Sequence, residues 1–133
     1  MRHLVPTLLA AAAIAASPSA SAREKLAPED QLAKLLDGRV AGAPQDCISL
    51  LSARSSQIID RTAIVYKSGN TYWVNRPRGG AESLDDDDIL VTKTTGSQLC
   101  SIDTVQLHDR TSHFYSGFVS LGEFVPYRRP KAE

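Results

Sequence analysis

Five groups of side chains in this sequence have the residue types for chemistry. Asp85-Asp86-Asp87-Asp88 is an unbroken run of carboxylates, the hard oxygen donors that a divalent cation prefers. Calcium needs six to eight oxygens converging on one point, and consecutive residues of an extended chain point alternately, so at most half of these carboxylates face one way. The spacing is not that of an EF-hand loop. The run therefore reads as a solvated loop that discourages edge pairing ahead of an apolar strand, and no metal or other cofactor is expected. Arg76 and Arg78, followed by Gly79-Gly80, could cradle a phosphate or carboxylate through guanidinium forks and backbone N–H groups. Neither a G-x-x-x-x-G-K-[ST] nor a G-x-G-x-x-G pattern is present, and the nearby aspartates could neutralise the arginines instead.

His108 and His113 are five positions apart with no third ligand at a telling distance, which argues against zinc. His108-Asp109 with Ser112, Ser116 or Ser120 supplies the residue types of a hydrolase, but no G-x-S-x-G elbow accompanies them. Tyr72 and Trp73 are adjacent, so in a strand they face opposite sides. One would be core, and the outward one could anchor a partner or cover the end of a sheet. The two cysteines, Cys47 and Cys100, are too far apart for a C-x-x-C redox pair or a zinc knuckle.

The elements that must position these groups follow a leader. Met1-Arg2-His3, an apolar alanine-rich run through Ala16, Ser17-Pro18 and Ala20-Ser21-Ala22 have the three parts of a secretory signal peptide, with cleavage expected after Ala22. No later apolar stretch approaches membrane length, so no transmembrane segment is expected after cleavage. The full chain carries 15 basic and 15 acidic side chains. That balance argues against nucleic-acid binding, which needs a concentrated basic surface. An exported chain with two cysteines is expected to join Cys47 to Cys100 in a disulfide.

Residues 23–46 are expected to hold one helix and a turn. Pro28 suits the first helical turn, Glu29 and Asp30 favour its positive end, Leu32, Leu35 and Leu36 form an apolar stripe, and Gly38 can end it. Residues 47–127 read as a β domain. Short strands are expected at Cys47–Leu50, Gln57–Asp60, Ala63–Lys67, Thr71–Asn75, Ile89–Lys93, Leu99 to about Asp109, and Phe118–Val125. Ser68-Gly69-Asn70 marks the plainest hairpin. The apolar parity switches near Asp103, which suggests a bulge or a strand buried on both faces. One helical turn is expected near Ala81–Leu84, Pro126 is expected to end the last strand, and residues 128–133 read as a tail. The fold class that follows is mainly β: a small antiparallel barrel or sandwich of six to seven short strands with one N-terminal helix and one disulfide.

Cys47-Ile48, Leu99-Cys100, Asp103-x-Val105-x-Leu107 and the closing Leu121-Gly122-Glu123-Phe124-Val125-Pro126-Tyr127 resemble a group of small exported proteobacterial proteins. The likeness covers Cys47 to Tyr127. It implies an envelope location and a disulfide; the group carries no established activity, so no catalytic residue is transferred. Two functional readings stand side by side. One is a periplasmic or secreted binding or structural module that holds an envelope protein or peptide through a strand edge or the Arg76–Asp88 loop. The other is a small hydrolase or anion-handling enzyme using His108, His113 and the Arg76/Arg78 loop, which requires those groups to converge in one pocket.

Overall fold

The computed structural model describes residues 14, 15, 17 and 24–131, so the signal-peptide reading of residues 1–22 falls almost wholly outside the described residues. The order is α1 (Pro28–Leu35), β1 (Val40–Ala41), β2 (Cys47–Ser49), β3 (Ser55–Ile59), β4 (Ala63–Ser68), β5 (Thr71–Asn75), a 3-10 turn (Ala81–Ser83), β6 (Asp88–Thr92), β7 (Gln98–Cys100), β8 (Thr104–Asp109), β9 (Tyr115–Ser120) and β10 (Phe124–Arg128). All pairings are antiparallel. They make a five-stranded sheet in the order β1-β10-β5-β4-β3, a three-stranded sheet β6-β8-β9 and a two-stranded ribbon β2-β7. The sheets stack as a sandwich and do not close into a barrel.

The expected hairpin seeds the largest sheet. β4 and β5 are joined by the two residues Gly69-Asn70, and Gly69 takes a φ of +57°, a conformation glycine adopts without steric cost. Alternation then sorts the side chains of this sheet to two faces. Ile58, Ile64, Tyr66 and Phe124 pack with Ile48, Leu99, Val105, Leu107, Val119 and Leu121 of the facing strands and loops. Ile59, Ala63, Val65 and Val74 turn the other way and meet Leu32 of α1, with Leu35 and Leu36 partly covered beside them. The helix is thus a lid on the outer face of the sheet, the role its leucine stripe predicts. It stops at Leu35, short of Gly38, which instead takes a φ of +74° in the following turn.

The staple is as expected. Cys47 and Cys100 lie directly opposite each other in β2-β7 and are bonded, with Cα atoms 4.0 Å apart.

Ten strands stand where six to seven were expected, several ends shift by a residue or two, and three larger departures each have a local reason. The single strand expected from Leu99 to Asp109 is two strands, because the Asp103 carboxylate accepts the Cys100 N–H at 2.7 Å while the Asp103 N–H donates to the Cys100 carbonyl at 3.0 Å. A short side chain that satisfies its own neighbourhood in this way favours a turn over a ladder. That turn, and not a bulge, explains the parity switch. The strand expected over Phe118–Val125 breaks at Leu121-Gly122-Glu123 and starts earlier, at Tyr115. Gly122 is required at the break, since a Cβ there would lie 2.3 Å from the Arg76 carbonyl oxygen.

Pro126 does not end the last strand. Phe124 exchanges both backbone bonds with Gln45, and the Pro126 carbonyl accepts from Gly42, so this side of β10 faces the N-terminal edge. There β1 is only two residues long, and a missing N–H leaves no ladder partner stranded. The strand continues through Tyr127 to Arg128, the first residue of the expected tail, and Arg128 Nε donates to Thr71 Oγ1 at 3.0 Å.

Candidate functional site

The sequence-derived candidates scatter over the sandwich. Arg76 leaves the end of β5 and donates both terminal nitrogens to Glu29 of α1, at 2.8 and 3.1 Å. That bond holds the Glu29 carboxyl below its usual range and raises the guanidinium. Arg78 is exposed but lies along the surface between two loops: its Nε donates to the Leu121 carbonyl at 3.0 Å and its terminal nitrogen to the Ser101 carbonyl at 2.7 Å. It straps the break between β9 and β10 to the turn after the disulfide. Both arginines line one cleft of about 610 Å³ with Asp46 and Glu123. Gly79 and Gly80 line a different one, beside Tyr115 and Phe118. The Gly79 carbonyl accepts the Ser120 N–H at 2.9 Å, and a Cβ on Gly80, whose φ is +81°, would lie 2.4 Å from the Phe118 carbonyl oxygen. The glycines therefore serve close packing of this loop on β9.

The two arginines differ in what they hold, which gives a direct test. Arg76→Ala removes an ion pair whose side chains are more than half exposed, worth below about 1 kcal/mol. Arg78→Ala takes the charged donor from two backbone carbonyls and should cost about 1–3 kcal/mol. Urea denaturation of the two variants should separate them in that order. Equal midpoints would show that Arg78 is no strap.

The histidines sit at the opposite end of the three-stranded sheet. His108 is four residues along β8 from Thr104, the end that the Arg78 strap approaches, a span of roughly 13 Å at the usual strand rise. Its Nδ1 lies 3.2 Å from the His113 carbonyl and its Nε2 3.2 Å from Gln106 Oε1. The Asp109 carboxylate is turned to the hairpin itself. It accepts from the Ser112 N–H, the Ser112 hydroxyl and the Thr111 N–H, and these bonds lower its pKa. Ser116 donates to Asp88 Oδ2 at 2.7 Å. Among the described residues no hydrogen bond joins a histidine ring to a serine, and the histidines and arginines line no common cleft among those described.

Tyr72 and Trp73 do face opposite sides, but both are partly covered. The Arg39 guanidinium lies 3.6 Å from the Tyr72 ring centroid, and Arg128 lies 5.6 Å from the Trp73 ring. The exposed aromatics are elsewhere, at Phe114, Tyr115 and Phe118.

The acidic run divides. Asp88 begins β6 and is buried, while Asp85, Asp86 and Asp87 remain exposed. Asp60, Asp85 and Asp86 bring carboxylate oxygens within 4.8 Å of one another, and Lys25 Nζ donates to Asp60 Oδ2 at 3.0 Å and also to Asp86. Burial opposes ionisation of Asp60, but the Lys25 bond and the Asp86 N–H outweigh it and lower its pKa. The cluster is already served by an ammonium group.

One recess brings several of these features together. β3 is one edge of the five-stranded sheet and β6 one edge of the three-stranded sheet, and among the described residues neither has a strand partner on its free side. Ser56, Gln57 and Ile58 of β3 face Asp88, Ile89 and Leu90 of β6 across a cleft of about 550 Å³, with Gln31, Asp86 and Arg110 completing the wall. One end is stitched shut by the Arg61 N–H to the Leu84 carbonyl at 3.0 Å and the Asp86 N–H to Asp60 Oδ1 at 2.7 Å.

Comparison with protein-family models, with curated proteins and with solved structures gives no match. The cleft must be read from its own chemistry.

Sequence reasoning placed Asp86 and Asp88 in a loop and at its end but did not find the cleft. Its other wall comes from β3, about thirty residues earlier, and the signal available was only that Ser55-Ser56-Gln57 is a polar start to an otherwise apolar strand.

Proposed function

We propose that this protein is an exported binding module that takes an extended peptide segment into the cleft between β3 and β6. The observation that carries the reading is the pair of unpaired strand edges facing each other across one recess. A free edge offers a row of backbone donors and acceptors, and an incoming strand satisfies them while side-chain contacts on either wall select the sequence. Polar Ser56 and Gln57 leave the edge of β3 open, and Ile58, Ile89 and Leu90 supply apolar floor for alternate side chains. Export is supported by the leader pattern and by the disulfide, which persists in an oxidising compartment. No helix among the described residues is long and apolar enough to cross a membrane. The resemblance to small exported envelope proteins points to the same compartment, with an envelope protein or peptide as the partner.

The hydrolase reading needs the histidines and the arginine loop in one pocket, and none of the clefts described above brings them together, which favours the binding reading. Chemical-shift mapping tests the binding reading. Titrating a panel of short extended peptides should move the amide signals of Ser56–Ile58 and Asp88–Leu90 together. Shifts confined to Phe114–Phe118, or to the Arg78 cleft, would sink it.

A further inference from the structure

At the stitched end, Asp86 of the cleft wall and Asp60 of the neighbouring recess form a seat that the chain fills itself. Lys25 reaches in from the segment ahead of α1 to Asp60 and Asp86. The carbonyl of Leu26 accepts from Gln31 Nε2 at 2.7 Å, and Gln31 and Asp86 both line the cleft. Residues 25 and 26 are therefore tied to two residues of its wall. Asp86 and Asp60 raise the pKa of the Lys25 ammonium, so the seat favours a protonated amine over a neutral group. It also holds that amine loosely: the Lys25 side chain is 57% exposed and that of Asp86 41%. Ion pairs this open contribute little against solvent and are readily exchanged. Asp87 has Arg110 3.9 Å away, and Arg110 is the one basic side chain on the cleft wall, so the surroundings stay acidic once Lys25 leaves.

We propose that Lys25 is an intramolecular placeholder, and that the peptide entering the cleft is cationic, exchanging one of its own lysine or arginine side chains for Lys25 between Asp60 and Asp86. The inference rests on the peptide-binding reading of the same cleft, which the mapping above tests separately. The entering strand meets acidic walls and an apolar floor, so its pattern would alternate basic and apolar residues.

Fluorescence anisotropy on the full chain can decide it, with two labelled synthetic peptides as probes: one alternating valine and lysine, the other valine and threonine. Lys25→Ala should tighten the valine–lysine peptide by about twofold to fivefold, the modest gain expected from freeing an exposed ion pair. Adding Asp86→Asn to Lys25→Ala should abolish that gain, while melting curves show the variants folded. The valine–threonine peptide should respond to neither change. Equal tightening of both peptides by Lys25→Ala would overturn the charge assignment and leave only a steric strap. An unchanged valine–lysine affinity would overturn the placeholder while the binding reading survives. Binding of neither peptide to any variant would overturn both.

Discussion

Replacing Cys47 and Cys100 together by alanine is expected to lower the melting temperature by about 15 °C. The bond closes a loop across a sequence separation of 53. In the chain-entropy account, releasing a loop of that size returns roughly 4 kcal/mol of conformational freedom to the unfolded chain. For a domain of this size each kcal/mol moves the midpoint by about 4 °C. The loss should also be local. β2 and β7 pair over only three residues, with the Ser101 N–H to the Asp46 carbonyl and the Leu50 N–H to the Ser97 carbonyl extending the ribbon. A two-stranded ribbon is marginal alone, so amide protection over residues 46–50 and 97–101 should fall further than in β4 or β5. A melting temperature within a few degrees of the parent, or uniform loss of protection, would contradict this.

Phe124→Ala should be nearly as damaging, at about 3–5 kcal/mol. Phe124 is fully buried, meets Tyr66 edge to face at a centroid distance of 5.9 Å, and lies in register with Asn75, which is itself buried and bonded through both amide atoms to the backbone of Gly122. The cavity would open at the junction of the five-stranded sheet, the break before β10 and the disulfide ribbon, where little can collapse to fill it. Tyr66→Phe is the contrasting change. The Tyr66 hydroxyl is buried with no hydrogen-bond partner among the described residues, and burial pushes its pKa upward. Removing it should leave stability unchanged or raise it by up to about 1 kcal/mol. Urea midpoints for the two variants check both signs, and a Phe124→Ala cost below about 1 kcal/mol would show that this junction is not a packed core.

What was legible in the sequence was local. The β4-β5 hairpin was visible because β-branched and aromatic residues flank Gly69-Asn70, and α1 because Pro28, Glu29 and its leucines agree on one helix. The Cys47–Cys100 pairing was legible because only two cysteines exist. What was not legible depended on distant partners. Pro126 reads as a stop unless it is known that its missing N–H faces a two-residue edge strand. Asp103 reads as a strand residue until its carboxylate is seen to take the Cys100 N–H. Arg76 and Arg78 look alike in sequence, yet one meets a helix carboxylate and the other two loop carbonyls. The cleft was least legible of all, since it arises from two edges belonging to different sheets.

The order β1-β10-β5-β4-β3 has a consequence for how the protein is made. Of the described strands, the one made last, β10, lies between the one made first, β1, and the central hairpin. A nascent chain that ends before residue 124 has nothing for Val40 and Ala41 to pair with and lacks the phenylalanine that seals the interior. Such a chain keeps its sandwich open at this seam until β10 has been made.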